Sequence, residues 1–389
     1  MRIAIDYTAA IRQGAGIGGY VRNLVAAMLA QDTSNQYTLL TSGHPTKKRP
    51  FPEAKNARGR SLLIPDRYLN VLWYRWQVPF PATLFSGPTD IYHGPDFVLP
   101  PLGKKVRKVV TIHDLAFLEH PEYAVPSLAA YLRKVVPEAI SAADVVATVS
   151  HEVSRTLIEH FQTPPEKLVV IPPGVGKSFQ RITDPIILDA TRHKFGLENP
   201  LVLSVGTLEP RKNHIGLIKA FYQAQKQKKG PAMLAIAGGE GWLYEETKRI
   251  VDELKLEKKV CFLGRVSDLE LVSLYSMADI FAFPSFFEGF GIPPLEAMAC
   301  GTPVITSNVS SLPEFASDAA LLINPHSIDE IAQAIIHLLT DENLSQELRE
   351  KGYQRAKQYT WEISAQKMLH IYQQLYTGQT DLSYKGTYP

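Results

Sequence analysis

Residues 284–305 read PSFFEGFGIPPLEAMACGTPVI, and the order of apolar, glycine and proline residues in this stretch decides the fold. The apolar run IFAFPS, which leads into it from Ile280, predicts a buried strand. Pro293 and Pro294 predict the first turn of a helix, where the missing N–H of proline costs nothing. Gly289 and Gly291 keep the intervening loop free of side chains, so that its backbone N–H groups can meet a ligand. A ligand loop between a strand end and a helix start is typical of a doubly wound α/β domain.

Two glutamates belong to this loop and helix, Glu288 in the loop and Glu296 one turn into the helix, with seven residues between them. A carboxylate beside a helix start can accept both hydroxyls of a ribose, and a carboxylate in the loop can accept the hydroxyls of a sugar. The competing interpretation is a helix N-terminus that acidic residues stabilise. It explains one glutamate near the helix start, but not the two glycines that flank Phe290.

The same strand–helix alternation runs through both halves of the 389-residue chain, which is longer than one hydrophobic core usually serves. Six strands are predicted in each half, with helical patterns between them, one of which covers 68–77. The fold class is therefore α/β, with two Rossmann-like, doubly wound domains of parallel strands that face a cleft. The Pro-Pro-Gly segment after Ile171 predicts the boundary, which gives domains at 1–172 and 173–360.

A second glycine loop, QGAGIGGY at 13–20, lies between the first apolar strand and an amphipathic helix. Gly14, Gly16 and Gly19 fit the G-x-G-x-x-G pattern of dinucleotide sites, which would indicate an NAD(P)-dependent oxidoreductase. That pattern also requires an acidic residue at the end of the second strand, and YTLLTSGHPTKK contains none. What remains is a turn where a phosphate or a sugar can approach the backbone and the helix start, or a tight turn without a ligand.

Two further strand ends have polar residues suited to ligands. The turn in VGTLEPRKN, at 205–213, places Arg211 and Lys212 ahead of a helix that Asn213 caps, and two cations at a helix start suit a diphosphate. A solvated basic turn is the alternative. His113 and Asp114 follow the strand VVTI, where a histidine can donate to a ligand or accept a proton. A hydrogen-bonded structural pair is equally open there.

Composition argues against several classes of protein. The formal net charge of +2 is too small to indicate nucleic acid as a partner, and two distant cysteines form neither a disulfide framework nor a zinc site. No apolar window reaches about 18 residues and the N-terminus has no signal-peptide core, so we expect a cytoplasmic protein. The stretch 47–60 contains six Lys/Arg against one Glu. We expect a solvated loop there, the alternative being peripheral contact with the anionic inner face of a membrane.

Taken together, these stretches resemble one family, the retaining glycosyltransferases of family 4, which have the GT-B fold and the E-x7-E motif. The resemblance covers nearly the whole chain. It rests on the glycine loop, His113, the Pro-Pro-Gly-Val linker, E-P-R-K-N at 209–213 and above all E-G-F-G-I-P-P-L-E-A-M-A-C-G-T-P-V. The segments HDLAFLEHPE and VGTLEPRKN are most similar to the mannosyltransferase-like branch of the family, which builds bacterial surface polysaccharides.

The resemblance implies that the second domain binds a nucleoside-diphosphate sugar and the first an acceptor, with a C-terminal helix at about 361–377 packed back on the first domain. It implies a catalytic set of His113, Lys212 and Glu288. It also implies a contact for each site residue: Lys212 with the diphosphate, Glu288 with the donor hexose, Glu296 with the ribose, the amides of Phe290, Gly291 and Ile292 with phosphate or sugar hydroxyls, Val266 with the nucleobase, His113 with the sugar near its 6-hydroxyl, and Gly18 and Gly19 with the diphosphate.

The chain departs from the family pattern at Thr207, where many relatives have an arginine. The diphosphate is then expected to contact Lys212 together with Arg211 or Arg265. No D-x-D sequence occurs, and metal-dependent transferases of the other major fold use that pair to hold a divalent ion on the diphosphate. We therefore expect no metal and no cofactor, with lysine, arginine and helix dipoles neutralising the leaving group instead.

The expected reaction is transfer of a hexose, best identified as mannose from GDP-mannose, to a glycan or lipid-linked acceptor with retention of configuration. No nucleophile is evident, which favours a front-face displacement in which the departing phosphate oxygen helps to deprotonate the acceptor. The alternatives are a UDP- or ADP-sugar transferase, a phosphorylase or an epimerase of the same fold, the oxidoreductase described above, and a catalytically silent binding module.

Overall fold

The computed structural model describes residues 1–379 except 15, 44–48, 63, 65–67, 70–72, 74–77, 79, 228–229 and 242–243. The chain divides into two compact units. The first comprises Met1–Gly174 together with the chain from Trp361 onward, and the second comprises Val175–Thr360. Each unit is built on a sheet of parallel strands with helices in the connections, which confirms the predicted pair of doubly wound α/β folds.

The sheet of the first unit has seven parallel strands in the described chain, in the order β3-β2-β1-β4-β5-β6-β7. They are β1 (Arg2–Asp6), β2 (Gln36–Ser42), β3 (Ala57–Leu62), β4 (Ile91–Gly94), β5 (Arg107–Ile112), β6 (Val145–Thr148) and β7 (Leu168–Val170). The helices are α1 (Thr8–Arg12), α2 (Ile17–Gln31), α3 (Thr83–Ser86), α4 (Ala116–Glu119), α5 (Pro126–Ala142) and α6 (His151–Phe161). The strand order reverses between β1 and β4, and sheets of this kind bind ligands outside the carboxyl ends of strands at such a reversal.

The sheet of the second unit has the order β10-β9-β8-β11-β12-β13. Its strands are β8 (Leu201–Val205), β9 (Met233–Ala237), β10 (Val260–Gly264), β11 (Ile280–Phe283), β12 (Val304–Ser307) and β13 (Leu321–Ile323). Its helices are α7 (Pro185–Phe195), α8 (His214–Gln225), α9 (Glu245–Glu253), α10 (Asp268–Met277), α11 (Ile292–Ala299), α12 (Leu312–Ala316), α13 (Ile328–Thr340) and α14 (Glu342–Ala356). Here the order reverses between β8 and β11, so the turns after these two strands lie at the edge where a ligand is expected.

The last helix, α15 (Trp361–Thr377), belongs to the first unit although it follows the second in sequence. It packs against α2, where the ring of Trp361 lies 5.6 Å from that of Tyr20. In the core, the hydroxyl of Tyr372 lies 2.6 Å from Nδ1 of His93 on β4. The first sheet is therefore covered by a helix that reaches it only after the whole second unit has been traversed.

One strand and several helices differ from the sequence-based expectation. The last four residues of the basic stretch 47–60 are not a loop but the start of β3, an edge strand in which Arg58 and Arg60 are exposed. Charged side chains are common on edge strands because they discourage pairing with a further strand. Here they interrupt the apolar pattern by which a strand is predicted from sequence. Five helices of the described chain were not predicted, namely α1, α3, α4, α7 and α12. The longest of them, α7, is capped by the Asp184 side chain, which accepts from the N–H of Ile186 at 2.9 Å.

All twelve strands predicted from the sequence are present. Two other expectations fall partly outside the described residues, namely the helix at 68–77 and the first two lysines of the basic stretch, Lys47 and Lys48. Within the residues that the structure describes, no helix combines the length and the apolar character that crossing a bilayer requires.

Candidate active site

The turn after β8 brings Lys212 to the carboxyl edge of the second sheet. From Gly206 the chain runs into a single 3-10 turn at Pro210–Lys212. Asn213 adopts the left-handed conformation, with φ of +55°, and caps α8 as predicted, its Oδ1 accepting from the N–H of Gly216 at 3.1 Å. The cap fixes where the helix begins and therefore where Lys212 points.

Glu288 joins this turn to the loop after β11. Its Oε1 accepts from Lys212 Nζ at 2.5 Å and from Ser285 Oγ at 2.8 Å. Its Oε2 accepts from Arg211 Nη1 at 2.7 Å, and its backbone N–H donates to Ser310 Oγ at 3.1 Å. The carboxylate is buried, with 8% of the side chain exposed. One side chain thus connects two motifs that are 76 residues apart.

The electrostatics of this pair are set by burial and by charge. Burial raises the pKa of Glu288, but the nearby charges of Arg211 and Lys212 outweigh it and bring that pKa down to about 2. Burial and the charge of Arg211 lower the pKa of Lys212, while the attraction of Glu288 opposes them. Glu288 is therefore a carboxylate at any physiological pH, and it is the counterion that keeps Lys212 charged at a buried position.

Arg211 is engaged by the protein rather than directed at solvent. Its Nη1 donates to the Phe287 carbonyl oxygen at 2.9 Å as well as to Glu288, and its Nη2 donates to Glu209 Oε1 at 2.8 Å. Together with Lys212 the group has two cations and two carboxylates, so it is formally neutral. Of the two residues proposed from sequence to assist Lys212, Arg211 instead holds the turn against the loop.

The other residue, Arg265, lies at the carboxyl edge of the second sheet, where three neighbouring strands end in glycine. Gly206, Gly238 and Gly264 occupy the carboxyl ends of the neighbouring strands β8, β9 and β10. A Cβ on Gly238 would lie 1.9 Å from the carbonyl oxygen of Gly206, so these backbones pack too closely for a side chain. Arg265 is exposed directly after Gly264, and within the described chain its guanidinium forms no hydrogen bond or ion pair. It is the arginine of the two that can meet an anion.

Thr207 and Val266 lie beside these glycines. Thr207 is exposed, and its carbonyl oxygen lies 3.3 Å from Nε2 of the buried His214. Burial lowers the pKa of His214 to about 4, so its ring is neutral and Nε2–H is the donor. Val266 is half-buried and precedes Ser267, which caps α10 in a reciprocal capping box with Glu270. Both positions are therefore held by the starts of neighbouring helices.

Glu296 is half-buried on α11 and differs electrostatically from Glu288. Its Oε2 accepts a hydrogen bond from the hydroxyl of Tyr275 at 3.0 Å. Burial raises its pKa to about 7, more than the bond from Tyr275 lowers it. The two glutamates of one motif thus have pKa values displaced in opposite directions, one by cations and the other by burial without a cation.

The loop between them is held from inside the unit. The side chain of Phe290 is buried, and its ring lies 5.1 Å from that of Phe315. Ser311 Oγ donates to the carbonyl oxygens of Glu288 at 2.8 Å and Phe290 at 3.2 Å. Gly291 has φ of +102°, a conformation that a residue with Cβ rarely adopts. This conformation accounts for Gly291, the glycine that follows Phe290.

The start of α11 offers backbone donors. No side chain caps this helix, and its first-turn N–H groups have no partners within it. Pro293 and Pro294 have no N–H, so the N–H groups of Gly291 and Ile292 are the donors available at this end. With the dipole of the helix, they form an environment that favours an anion.

In the first unit, the two adjacent glycines in the first turn of α2 have different surroundings. A Cβ on Gly18 would lie 2.4 Å from the carbonyl oxygen of Gln13, so this glycine permits close packing of the chain on itself. A Cβ on Gly19 would meet nothing closer than Arg22 Nη2 at 3.9 Å. The guanidinium of Arg22 donates to the carbonyl oxygens of Ala10, Gln13 and Gly14, which fixes the loop. Of these two glycines, Gly19 is the one that leaves room for a ligand.

His113 follows β5 and is buried, with 8% exposed. Its Nε2 lies 2.7 Å from the carbonyl oxygen of Pro95, and a carbonyl can only accept, so Nε2 has the proton. Burial lowers the pKa of His113, although Pro95 and Asp114 oppose this, so the ring is neutral with Nδ1 as an acceptor. Asp114 instead accepts at 3.0 Å from the N–H of Ala116, the first residue of α4. The two residues do not form the pair that sequence left open.

Several residues that shape these sites were not singled out from sequence. They are Ser285, Ser310, Ser311, Tyr275, His214, Arg22 and Asp96. Asp96 follows β4, accepts from Gln13 Nε2 at 3.3 Å and has its pKa raised to about 7 by burial and by Asp6 and Asp114. Its place two residues after a strand is the one sequence signal that would have found it. Ser310 and Ser311 bond to the loop from 21 to 23 residues away and leave no local pattern.

Comparison with known families gives two matches that together cover most of the chain. Residues 14–178 match the family described as Glycosyltransferase Family 4. Residues 188–355 match the family described as Glycosyl transferases group 1. The two matches coincide with most of the first and second units.

Individual relatives are mannosyltransferases by name. The chain is 33% identical to the O-antigen chain mannosyltransferase B of Escherichia coli over 73% of its own length and 74% of that protein. It is 29% identical to the serotype-specific mannosyltransferase WbdA of the same species over 74% of its length, but spans only 36% of that longer protein. Among solved structures, sucrose-phosphate synthase from Thermosynechococcus elongatus superposes with a TM-score of 0.77 at 22% identity, over 97% of this chain and 100% of that chain.

Proposed function

The chain belongs to the family 4 glycosyltransferases, and we propose that it transfers mannose from GDP-mannose to a glycan or lipid-linked acceptor in the synthesis of a bacterial surface polysaccharide. The observation that supports a sugar-nucleotide donor most directly is the pairing of Lys212 with Glu288. The two residues follow β8 and β11, the strands between which the order of the second sheet reverses. Ligands of doubly wound sheets bind at that position.

The diphosphate of the donor would be held by Lys212 and Arg265. Lys212 lies at the turn after β8, and Arg265 is the nearby arginine whose guanidinium is exposed and has no partner among the described residues. Between them lie the glycine ends of three strands, where no side chain keeps the phosphates from the backbone. The N–H groups of Gly291 and Ile292 would add the positive end of α11.

The two glutamates would bind the hexose and the ribose of the donor. Glu288, permanently charged, would accept hydroxyls of the hexose. Glu296, at the start of α11, would accept the two hydroxyls of the ribose. Val266, half-buried before the capped start of α10, would then contact the nucleobase.

In the reaction, the bond from the sugar to the outer phosphate breaks and negative charge grows on that phosphate. A lysine, an arginine and helix amides already oriented toward it would stabilise this charge, and such electrostatic stabilisation usually contributes most to the rate of reactions of this kind. We propose that these groups act without a metal ion and that the configuration of the sugar is retained. The departing phosphate oxygen would help to take the proton from the acceptor hydroxyl on the same face.

The first unit would bind the acceptor and contribute two contacts to the donor. His113 is neutral, so it can accept a hydrogen bond from a sugar hydroxyl near the 6-position through Nδ1. Gly19 would let the diphosphate approach the backbone at the start of α2, whereas Gly18 lets that helix start pack closely on the preceding chain. The acceptor-binding role of this unit and peripheral contact with the inner membrane face are both part of the proposal.

A thermal-shift panel of GDP, UDP, ADP and their hexose derivatives, each with and without EDTA, tests the donor. A ligand at about 100 times its dissociation constant adds about 2.7 kcal/mol to the free energy of unfolding, which is measurable. We expect GDP and GDP-mannose to raise the melting temperature more than the others, with no effect of EDTA. A preference for UDP or ADP would mean that the donor is not GDP-mannose. In a transfer assay, activity that EDTA abolishes and magnesium restores would overturn the metal-free site.

A further inference from the structure

The charge group around Glu288 bears on how the donor enters the site, a point that rests on the proposed function. Arg211 and Lys212 are matched by Glu209 and Glu288, so the group has no surplus positive charge. A neutral group attracts an arriving anion only weakly. To gain a strong contact here, a diphosphate has to take the place of a carboxylate on one of the cations.

Lys212 is the cation that can exchange its partner. Arg211 donates to three acceptors of the protein, whereas the ammonium of Lys212 has one carboxylate partner, Glu288, and otherwise lies 4.9 Å from the centre of the Phe283 ring. The stem of Lys212 runs past Gly206, where no side chain blocks its movement. Glu288 also tolerates the exchange, since it keeps the bonds from Arg211 and Ser285.

We propose that Glu288 is a resident anion on Lys212, that the diphosphate of the donor displaces it, and that this displacement exposes Oε1 of Glu288 to the hydroxyls of the hexose. A diphosphate has more charge than a carboxylate and forms charge-assisted hydrogen bonds to lysine, which favours the exchange. Because Arg211 remains beside Glu288, the exchange leaves no buried carboxylate without a cation.

Ordered recognition follows from this exchange. A free hexose offers only neutral hydroxyls, which cannot compete with an ammonium for a buried carboxylate. The hexose subsite therefore opens only after the diphosphate has bound, so the enzyme accepts the activated sugar and ignores the same sugar without its nucleotide. Free mannose should not bind even at concentrations where GDP-mannose saturates the site.

Isothermal titration of the full chain with GDP and with inorganic pyrophosphate, neither of which contains a hexose, tests the exchange. We expect Glu288→Gln to bind both probes about tenfold more tightly than the unmodified protein, equivalent to about 1.4 kcal/mol. Glu209→Gln is the matched control, because it removes the same charge from the same group but pairs with Arg211 and not with Lys212. We expect it to change either affinity less than about twofold.

A role for Glu288 in hexose binding alone predicts no change with either probe, and an unchanged or weaker affinity of Glu288→Gln would overturn the exchange. Lys212→Met separates this from the proposed function. If Lys212→Met binds neither GDP nor pyrophosphate while Glu288→Gln binds both with the affinity of the unmodified protein, the diphosphate site is supported and the exchange is wrong. If the unmodified protein binds none of GDP, UDP, ADP and pyrophosphate, both proposals are wrong.

A crystal of the unmodified protein soaked with pyrophosphate decides the matter if Glu288→Gln does not fold. We expect Lys212 Nζ on a phosphate oxygen and beyond hydrogen-bond distance of Glu288 Oε1, which it contacts at 2.5 Å without ligand. Pyrophosphate bound with the Lys212–Glu288 bond still intact would overturn the exchange.

Discussion

At the scale of single residues, the environment decides what two chemically identical side chains do. Glu288 and Glu296 are separated by seven residues in one motif, yet the pKa of the first is about 2 and that of the second about 7. Arg211 and Lys212 account for the low value, and burial without a cation for the high one. The first glutamate is a permanent anion, whereas the second exchanges a proton near neutral pH.

Glu296→Gln should make stability less dependent on pH. The folded pKa of Glu296 lies above its ordinary 4.5, so its contribution is fully present below about pH 4.5 and is lost as the pH rises through 7. The free energy of unfolding of the variant minus that of the unmodified protein should therefore rise by about 1–3 kcal/mol between pH 5 and pH 8. Urea denaturation at both pH values measures it, and a difference that does not vary with pH would contradict the shift. Asp96 titrates in the same range but is common to both proteins.

Lys212→Met should lower turnover by about 10²–10³-fold, the cost of removing one preorganised group that stabilises a developing oxyanion. Circular dichroism should show the fold intact. The matched control is Lys259→Met, because Lys259 precedes β10 at the opposite edge of the sheet and forms only an exposed ion pair with Glu198. Equal loss of activity in both variants would refute the role of Lys212.

At the scale of elements, the start of α2 separates packing from ligand binding. Gly18→Ala places Cβ 2.4 Å from the Gln13 carbonyl oxygen and should cost about 1–3 kcal/mol of stability. Gly19→Ala meets only open space and should cost none, since alanine favours a helix more than glycine does. If Gly19 contacts the diphosphate, its variant should lose turnover while melting normally. A Gly19→Ala enzyme of full activity would remove that contact from the proposal.

The attachment of α15 to the first sheet depends on a buried polar chain. His93 lies between Tyr372 and Thr111, with its ring nitrogens 2.6 Å and 2.8 Å from their hydroxyls. Tyr372→Phe leaves Nδ1 of His93 without that hydroxyl in the core and should cost about 1–3 kcal/mol in chemical denaturation. Tyr376→Phe, whose ring is half exposed, is the control and should cost less than about 0.5 kcal/mol. Equal effects would mean that the polar chain contributes nothing.

At the scale of the whole molecule, the chain forms the first sheet, then the second, and then returns to the first unit with its last helix, α15. Truncation after Thr360 should unfold the first unit. The buried residues lost include Trp361, Met368 and Ile371, at about 1.5–3 kcal/mol each, and a domain is stable by only about 5–15 kcal/mol. Calorimetry should show the transition of the first unit lost and that of the second retained. A truncated chain with both transitions would show that α15 is dispensable.

Much of this architecture could be predicted from sequence because its signals are local. Strand–helix alternation identified both sheets, and the glycines and prolines around Phe290 located the loop that contains Glu288. The edge strand β3 was missed because its exposed arginines resemble a solvated loop. Ser310 and Ser311, which hold the Glu288 loop, were missed because they bond to it across 21 to 23 residues.

The sequence by itself determined the fold class, the position of the loops at strand ends and the residue types available there, since periodicity and turn chemistry act over a few residues. Tertiary structure alone decided which charges meet. It paired Arg211 with Glu288 and Glu209 and left Arg265 exposed next to Gly264. It also shifted the pKa values of Glu288 and Glu296, the two glutamates of one motif, in opposite directions. The physical reason is that charge interactions and burial depend on distances in space. Lys212 and Glu288 are 76 residues apart in sequence and come into contact only once the sheet has formed.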